Sequence, residues 1–324
     1  MSTKNDVLAF LMKHAPERVS GEYMANELTI SRTAIWKAIN QLRKSGFSIE
    51  SNSQGYLYKE TNLLSIPGIN ANLCSTTPTL TIKKMANSES TMKDAKLAIL
   101  DQTPAHTLLI ADMQKFSVGR FGRPFFAKPG AGIYMSLILH PNQKFSEITN
   151  YTIITAVAVV RALNKLLDIS PKIKWVNDIY INDKKVCGIL TEAISDIEAG
   201  QISSIIIGVG LNFSIKQIEF PDELQSKVTS LFPNGQYTVT RNELIAEIWN
   251  QFYKILAHST NEQIIDEYKK YSLVLGKTVS FMQNKKEYTG LAETINLKGE
   301  LVVRLVDGTK KLLCSGEVSL QAIY

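Results

Sequence analysis

Four β-like runs follow one another between residues 172 and 211 with no helical stretch among them, and this limits the fold more than any other feature. They cover 172–175, 179–181, 186–193 and 203–211. Further runs at 80–85, 107–113 and 132–139, and helical patterns at 91–100, 147–167, 243–256 and 262–270, complete the middle of the chain. Strands that arrive in succession favour an α+β fold with a mixed sheet over a doubly wound sheet, which alternates strand and helix.

The ends read differently. Residues 1–60 give three short helices and a hairpin. Val7, Leu8, Leu11 and Met12 recur at helical spacing, Ser20 and Ser31 stand where N-caps are wanted, and Gly46 stops the third helix. Residues 47–50 and 55–58 form a small wing. On the third helix Ala34, Ile35, Ala38, Ile39 and Leu42 share a core-facing side, while Thr33, Trp36, Lys37, Asn40 and Lys44 share the other. Arg32, Lys37, Arg43 and Lys44 are basic, and the helix has no acid. A tryptophan among amides and cations suits a helix in a DNA groove, with cations on phosphates and Thr33 or Asn40 near base edges. The bland reading is a solvated face. The preceding helix with its tight turn, and the glycine-ended helix running into a wing, favour DNA. Residues 60–80, with two prolines and several Asn and Thr, read as a linker. The segment 276–324 holds short strands at 278–282, 288–295, 301–304 and 311–313, punctuated by turn signals, and reads as a small β-barrel.

With 44% hydrophobic and 20% charged residues, the chain is neither disordered nor collagen-like. Cys74, Cys187 and Cys314 are scattered, which suggests reduced thiols of a cytoplasmic protein. The four histidines lie far apart, so no zinc cluster is expected. The chain has no apolar run of about 18 residues, so no membrane partner is expected, and its first residues lack the pattern of a signal peptide. A net charge of +6 allows an anionic partner without requiring one.

Three patches interrupt the central pattern. Residues 111–125 run from a strand into a loop with Gly119, Arg120, Gly122 and Arg123. Such a loop fits a solvated connection and an anion site equally. Lys174-Trp175-Val176-Asn177-Asp178 is an Asx-rich corner at the least. Lys185 opens an otherwise apolar strand, Val186 to Leu190, and is a candidate partner for a buried anion. Gly208-Val209-Gly210-Leu211-Asn212 ends an apolar strand. It lacks the third glycine and the immediate helix of a dinucleotide fingerprint, and its glycines also suit a crowded backbone crossing.

In this order the patches resemble the biotin protein ligase family, and more closely its bacterial members that double as biotin operon repressors. Ser31-Arg32-Thr33-Ala34-Ile35-Trp36-Lys37 and the wing look like that family's winged helix-turn-helix. Glu89-Ser90-Thr91 resembles its D-S-T motif, Gln114 through Gly122 its G-R-G-R-x-G biotin loop, Lys174 to Ile179 its K-W-P-N-D, Lys185 through Gly188 its K-x-x-G, and Gly208 to Asn212 its G-x-G-x-N. The resemblance covers essentially the whole chain and implies three domains: a winged helix-turn-helix at 1–62, a biotin- and ATP-binding domain at 63–274 and an SH3-like barrel at 275–324.

The resemblance also implies a chemistry. Biotin carboxylate attacks the α-phosphate of ATP, giving biotinyl-5′-adenylate and pyrophosphate. A lysine of a biotin carboxyl carrier domain then takes the acyl group. Lys185, Arg120 and Asp178 would be catalytic; Ser90, Thr91, Gln114, Arg120, Lys185 and Gly188 would hold biotin; Arg123, Phe125, Asn177, Gly208, Gly210 and Asn212 would hold the nucleotide, with Arg120 and Arg123 on a mobile loop. Ser31, Arg32, Thr33, Trp36, Lys37 and Asn40 would meet operator DNA, as a homodimer favoured by ligand. Mg²⁺ would come with ATP, with no dedicated metal site. The sequence departs from the pattern at Ser117 and Val118 (glycine and arginine in the family), at Phe125 (tryptophan), at Met92 (polar) and at Val176 (proline). A regulatory paralogue with weak ligase activity and a lipoate or octanoate ligase are the competing readings.

Overall fold

The computed structural model describes residues 2–141, 148–196, 201–314, 316 and 318–320, and counts and absences below refer to these described residues. The chain forms two compact units, Met1–Ser75 with Thr238–Glu247, and Thr76–Tyr237 with Ile248–Tyr324.

The first unit contains α1 (Thr3–His14), α2 (Gly21–Leu28), α3 (Arg32–Lys44), β1 (Ser48–Asn52), β2 (Gly55–Lys59) and α4 (Ile66–Asn72). Val7, Leu8, Leu11, Met24, Ile35, Ile39 and Leu42 bury their side chains in one core, as helical spacing requires. The Ser20 and Ser31 hydroxyls accept from Tyr23 N (3.0 Å) and Ala34 N (3.1 Å), each cap contributing about 1 kcal/mol. Gly46, at φ +93°, turns the chain out of α3. Trp36 is 58% exposed, and Ser31, Arg32, Thr33 and Lys37 are exposed beside it, with Asn40 half-buried. Arg43 differs from the expectation for the basic residues of this helix. Its Nε donates to Ile49 O (2.8 Å) and its Nη2 to Ser51 Oγ (3.0 Å), so its guanidinium clamps α3 to the wing.

Residues 60–80 are more ordered than a linker. Ser65 caps α4 by accepting from Gly68 N (3.0 Å), and Leu64, Pro67 and Ile69 are buried. Arg241 Nη2 donates to Asn62 O (2.8 Å) and Ser65 N to Asn242 Oδ1 (2.9 Å). These partners lie far along the chain, and a seven-residue helix containing proline has too little periodicity to read. The expected boundary at residue 62 therefore falls ahead of α4, within chain that packs in the first unit.

The second unit is built on β3 (Thr81–Met85), α5 (Thr91–Leu100), β4 (Thr107–Ala111), β5 (Gly132–Leu139), α6 (Ile148–Leu166), β6 (Lys172–Lys174), β7 (Asp178–Ile181), β8 (Lys184–Asp196) and β9 (Gln201–Asn212). Its sheet has the order β3-β4-β5-β9-β8-β7-β6. Only β3 and β4 run parallel; the other neighbours are antiparallel, which makes the sheet mixed. The two faces are covered separately. Leu190 packs with Met92 and Ala95 of α5, while the neighbouring Thr191 receives a hydrogen bond from Thr152 of α6 (2.8 Å). Burial on both faces explains why β5 is apolar almost throughout. The expected start of α6 at residue 147 lies outside the described residues. The unit continues with α7 (Asp222–Gln225), α8 (Arg241–His258), whose first turns count with the first unit, and α9 (Asn261–Lys270).

The chain ends in β10 (Thr278–Gln283), β11 (Lys286–Ile295), β12 (Leu301–Leu305), β13 (Lys310–Leu313) and β14 (Val318–Leu320). They form one antiparallel sheet of order β13-β12-β11-β10-β14. Among the described residues β13 and β14 are edges that do not pair, so the expected barrel is not closed by hydrogen bonds. No helix among the described residues is long and apolar enough to cross a membrane.

Gly55 has φ +130°, and a Cβ there would lie 2.2 Å from Val19 O, in the bridge that joins Val19 to Tyr56. Gly55→Ala is expected to destabilise the first unit by about 1–3 kcal/mol. Thermal unfolding followed by circular dichroism checks this; an unchanged transition contradicts the geometry.

Candidate functional site

The sheet bears a glycine floor. In the antiparallel register Gly188 of β8 stands opposite Gly210 of β9, and Gly208 opposite Leu190, so all three glycines point to the face that α5 covers. A Cβ at Gly208 would lie 2.6 Å from Met92 Sδ, and one at Gly210 would lie 2.7 Å from the Phe125 ring. At Gly188 it would come within 3.2 Å of Lys185 Nζ. Bare backbone is what lets these three side chains lie over the strands. Above the floor opens a cavity of about 140 Å³ that is continuous with solvent at its mouth.

One end of the cavity is polar and buried. Ser90 and Thr91 begin α5, and Gln114 follows β4. Thr91 N donates to Gln114 Oε1 (2.7 Å), and Ser136 Oγ donates to Thr91 Oγ1 (2.8 Å). These bonds fix a rank of donors and acceptors beside apolar Met92, Met135 and Leu190, a lining suited to a small polar ring system.

The other end is charged. Lys185 Nζ lies 2.7 Å from Asp178 Oδ1, with both side chains roughly a quarter exposed. Arg120 Nη1 donates to Asn177 Oδ1 (3.1 Å) and to Gly316 O (3.3 Å), while Asn177 Nδ2 donates to Ile189 O (2.9 Å). Two cations over a Cβ-free floor can receive an anion, and Asp178 can accept a proton or orient an amine. The Trp175–Val176 peptide is cis. Behind the pair, burial pushes the Cys187 thiol far up, Lys185 opposing and Asp178 adding to the effect.

The Gly/Arg loop is cross-tied. Phe125 N donates to Ser117 O (2.9 Å), Ser117 Oγ to Phe125 O (2.8 Å) and Gly119 N to Arg123 O (2.8 Å). Phe121 and Gly122, at φ +58° and +72°, make the tip. Ser117, which departs from the family pattern, thus adds a bond that closes the loop, and Val118 lines the cavity.

The cavity lining unites Ser90, Thr91, Gln114, Arg120, Arg123, Phe125, Asn177, Asp178, Lys185, Gly188, Gly208 and Gly210. Asn212 is the exception. It is buried, and its Nδ2 donates to Thr229 O (3.0 Å), away from the cavity lining. The sequence hid this because its partner lies in a loop with no pattern of its own. Lys174 and Met92 also line the cavity and were not among the expected ligands. Lys174 ends β6 and Met92 sits in the first turn of α5, and their membership follows from how these elements pack in the fold, which spacing along the chain does not give.

Residues 85–212 match the model of the biotin/lipoate A/B protein ligase family, and residues 3–57 match that of an HTH domain. The bifunctional ligase/repressor BirA of Bacillus subtilis is 32% identical over 316 residues, 95% of this chain and 96% of that protein. Its Escherichia coli namesake is 25% identical over 317 residues, covering 94% and 93%. The biotin protein ligase of Aquifex aeolicus in complex with biotin and ATP superposes with a TM-score of 0.62 at 24% identity, covering 74% of this chain and 98% of that one.

The buried, proton-bound thiol gives a check on the packing behind the cations. At pH 8, iodoacetamide is expected to alkylate the exposed Cys74 and Cys314 and to leave Cys187 unmodified until the chain unfolds. Peptide mapping distinguishes the three; rapid native modification of Cys187 contradicts the packing.

Proposed function

The chain belongs to the biotin/lipoate A/B protein ligase family, in its bifunctional ligase/repressor form, and from that premise we propose how its own residues do the work. The reaction joins biotin to a lysine of a carrier domain in two steps. Biotin carboxylate attacks the α-phosphate of ATP and pyrophosphate leaves; the lysine amine then attacks the acyl carbon and AMP leaves. Negative charge gathers where carboxylate meets phosphate, and fixed cations stabilise it most where water is excluded. The single observation that carries the reading is the Lys185–Asp178 pair on the glycine floor, with Arg120 held in the same cavity.

In this reading Ser90, Thr91, Gln114 and the Gly188 backbone hold the biotin head. Lys185 and Arg120 bridge carboxylate and phosphate. Arg123, Phe125, Asn177, Gly208 and Gly210 serve the nucleotide. Asp178 orients the incoming amine and takes its proton, which requires the carboxylate to leave Lys185 as the ligand's own anion displaces it. No group of three or more metal-ligating side chains exists among the described residues. Mg²⁺ would enter with ATP, held largely by phosphate oxygens, and no step is drawn through it.

The regulatory half rests on the first unit. Ser31, Arg32, Thr33, Trp36, Lys37 and Asn40 form the DNA-reading face of α3, and ligand-favoured homodimerisation would match a two-part operator. The functional division follows 1–62 for DNA, 63–274 for the chemistry and 275–324 as an adjunct that reaches the cavity at Gly316. The carrier domain, the operator and the chemistry all belong to the cytoplasm. A second reading, a sensor that binds the same ligand but labels slowly, is favoured by Val118 in the cavity wall. Under it, Val118→Arg with Ser117→Gly raises labelling markedly.

The test is acceptor labelling and pyrophosphate release with biotin, ATP and a carrier domain. Lys185→Met is expected to lower pyrophosphate release by about 10²–10³-fold. Asp178→Asn is expected to keep pyrophosphate release and lose labelling. Absence of both activities in the unaltered protein removes the enzyme reading. For DNA, Lys37→Ala is expected to weaken operator binding and to reduce its logarithmic salt slope by about one; an unchanged slope excludes a phosphate contact there.

A further inference from the structure

Tyr268 of α9 is fully buried, and its ring is not part of the cavity lining. Its hydroxyl nevertheless donates to Val176 O at 3.0 Å. Val176 immediately precedes Asn177, which holds Arg120, and Asp178, which pairs with Lys185. The carbonyl it holds thus lies one residue ahead of Asn177 and two ahead of Asp178, whose contacts organise the charged end of the cavity.

The position of Tyr268 is itself fixed by backbone pairing. Ile173 N donates to Tyr271 O (2.7 Å) and Leu273 N to Ile173 O (2.8 Å), so the chain leaving α9 is registered on β6, just ahead of the turn. Other ties to this turn, from Trp175 Nε1 to Gly299 O (3.0 Å) and between Asn177 and Ile189, use different atoms and leave the Val176 carbonyl to Tyr268. Burial, with Asp178 adding and Arg120 opposing, holds the Tyr268 hydroxyl proton-bound far above its ordinary range. It is a donor throughout the working pH range, and the charges of the site are felt at its oxygen.

We propose that Tyr268 is a positioning residue for the ligase reaction: its hydroxyl fixes the 175–178 turn, so that Asn177 and Asp178 meet Arg120 and Lys185 in register. This rests on the activity proposed above, but the placement of the turn can be read without it. Tyr268→Phe keeps the ring and deletes one donor, leaving a buried carbonyl unpartnered.

The experiment compares Tyr268→Phe with Tyr253→Phe, whose hydroxyl instead meets His106 Nδ1 at 2.7 Å and which does not line the cavity. Tyr268→Phe is expected to lower the kcat of acceptor labelling about tenfold, with the KM for biotin within about twofold. Tyr253→Phe is expected to keep kcat even where it lowers the melting temperature. Amide exchange at Ile189, whose N–H bonds Asn177 O at 3.0 Å, is expected to rise about tenfold in Tyr268→Phe only. Unchanged exchange at Ile189, unchanged kcat, or equal losses of kcat in both variants overturns the proposal. If the unaltered protein labels no acceptor, the reaction assigned above fails, and the Ile189 amide alone decides whether Tyr268 holds the turn.

Discussion

Two facing strands without side chains at Gly188, Gly208 and Gly210 set the conditions for everything above them. A methyl group at Gly208 or Gly210 would collide with Met92 or Phe125, and one at Gly188 would crowd Lys185. The sheet is otherwise packed on both faces, so this is where its surface can be hollow without loss of core elsewhere. Gly188 also explains how a lysine at the start of an apolar strand can fold back over that strand. The cavity is a consequence of register, because a shift of one residue would turn the bare positions toward α6.

The charges at the cavity's open end are arranged so that none depends on solvent alone. Lys185 has Asp178, and Arg120 has Asn177 and Gly316 O. An entering anion exchanges partners with groups already aligned. That keeps the reorganisation cost low, and low reorganisation is the main advantage of a fixed site over water. Asp178 and Lys185 hold each other, so under the proposed mechanism the carboxylate serves as base once the ligand's anion takes the lysine. Asn177 is the less conspicuous partner. Its two amide ends tie the loop arginine to the backbone of β8, joining two elements far apart in sequence.

Much of this was legible beforehand because several signals coincided. The run at 132–139 and the helix at 91–100 have the same bounds in sequence and structure, the first as an apolar run that follows Pro129 and Gly130 and ends before Pro141, the second as a helical pattern. Lys185 stood out as a charge in an apolar strand. What escaped was short or non-local. α4, α7 and β14 span seven, four and three residues, too few for periodicity to register. Arg43 counts in the sequence only as one of four basic residues of its helix, because the wing that receives its donors is a tertiary partner. Asn212 sat in a motif, but its amide is taken by Thr229. Tyr268 had no local signal at all, since its acceptor is a backbone carbonyl 92 residues away.

The loop over the cavity is stitched to itself between Ser117 and Phe125 and between Gly119 and Arg123. A segment braced in this way has little configurational freedom left to surrender when a molecule enters beneath it. Binding through such a braced strap forfeits less entropy, and the same bracing limits how loudly an empty cavity can differ from a full one.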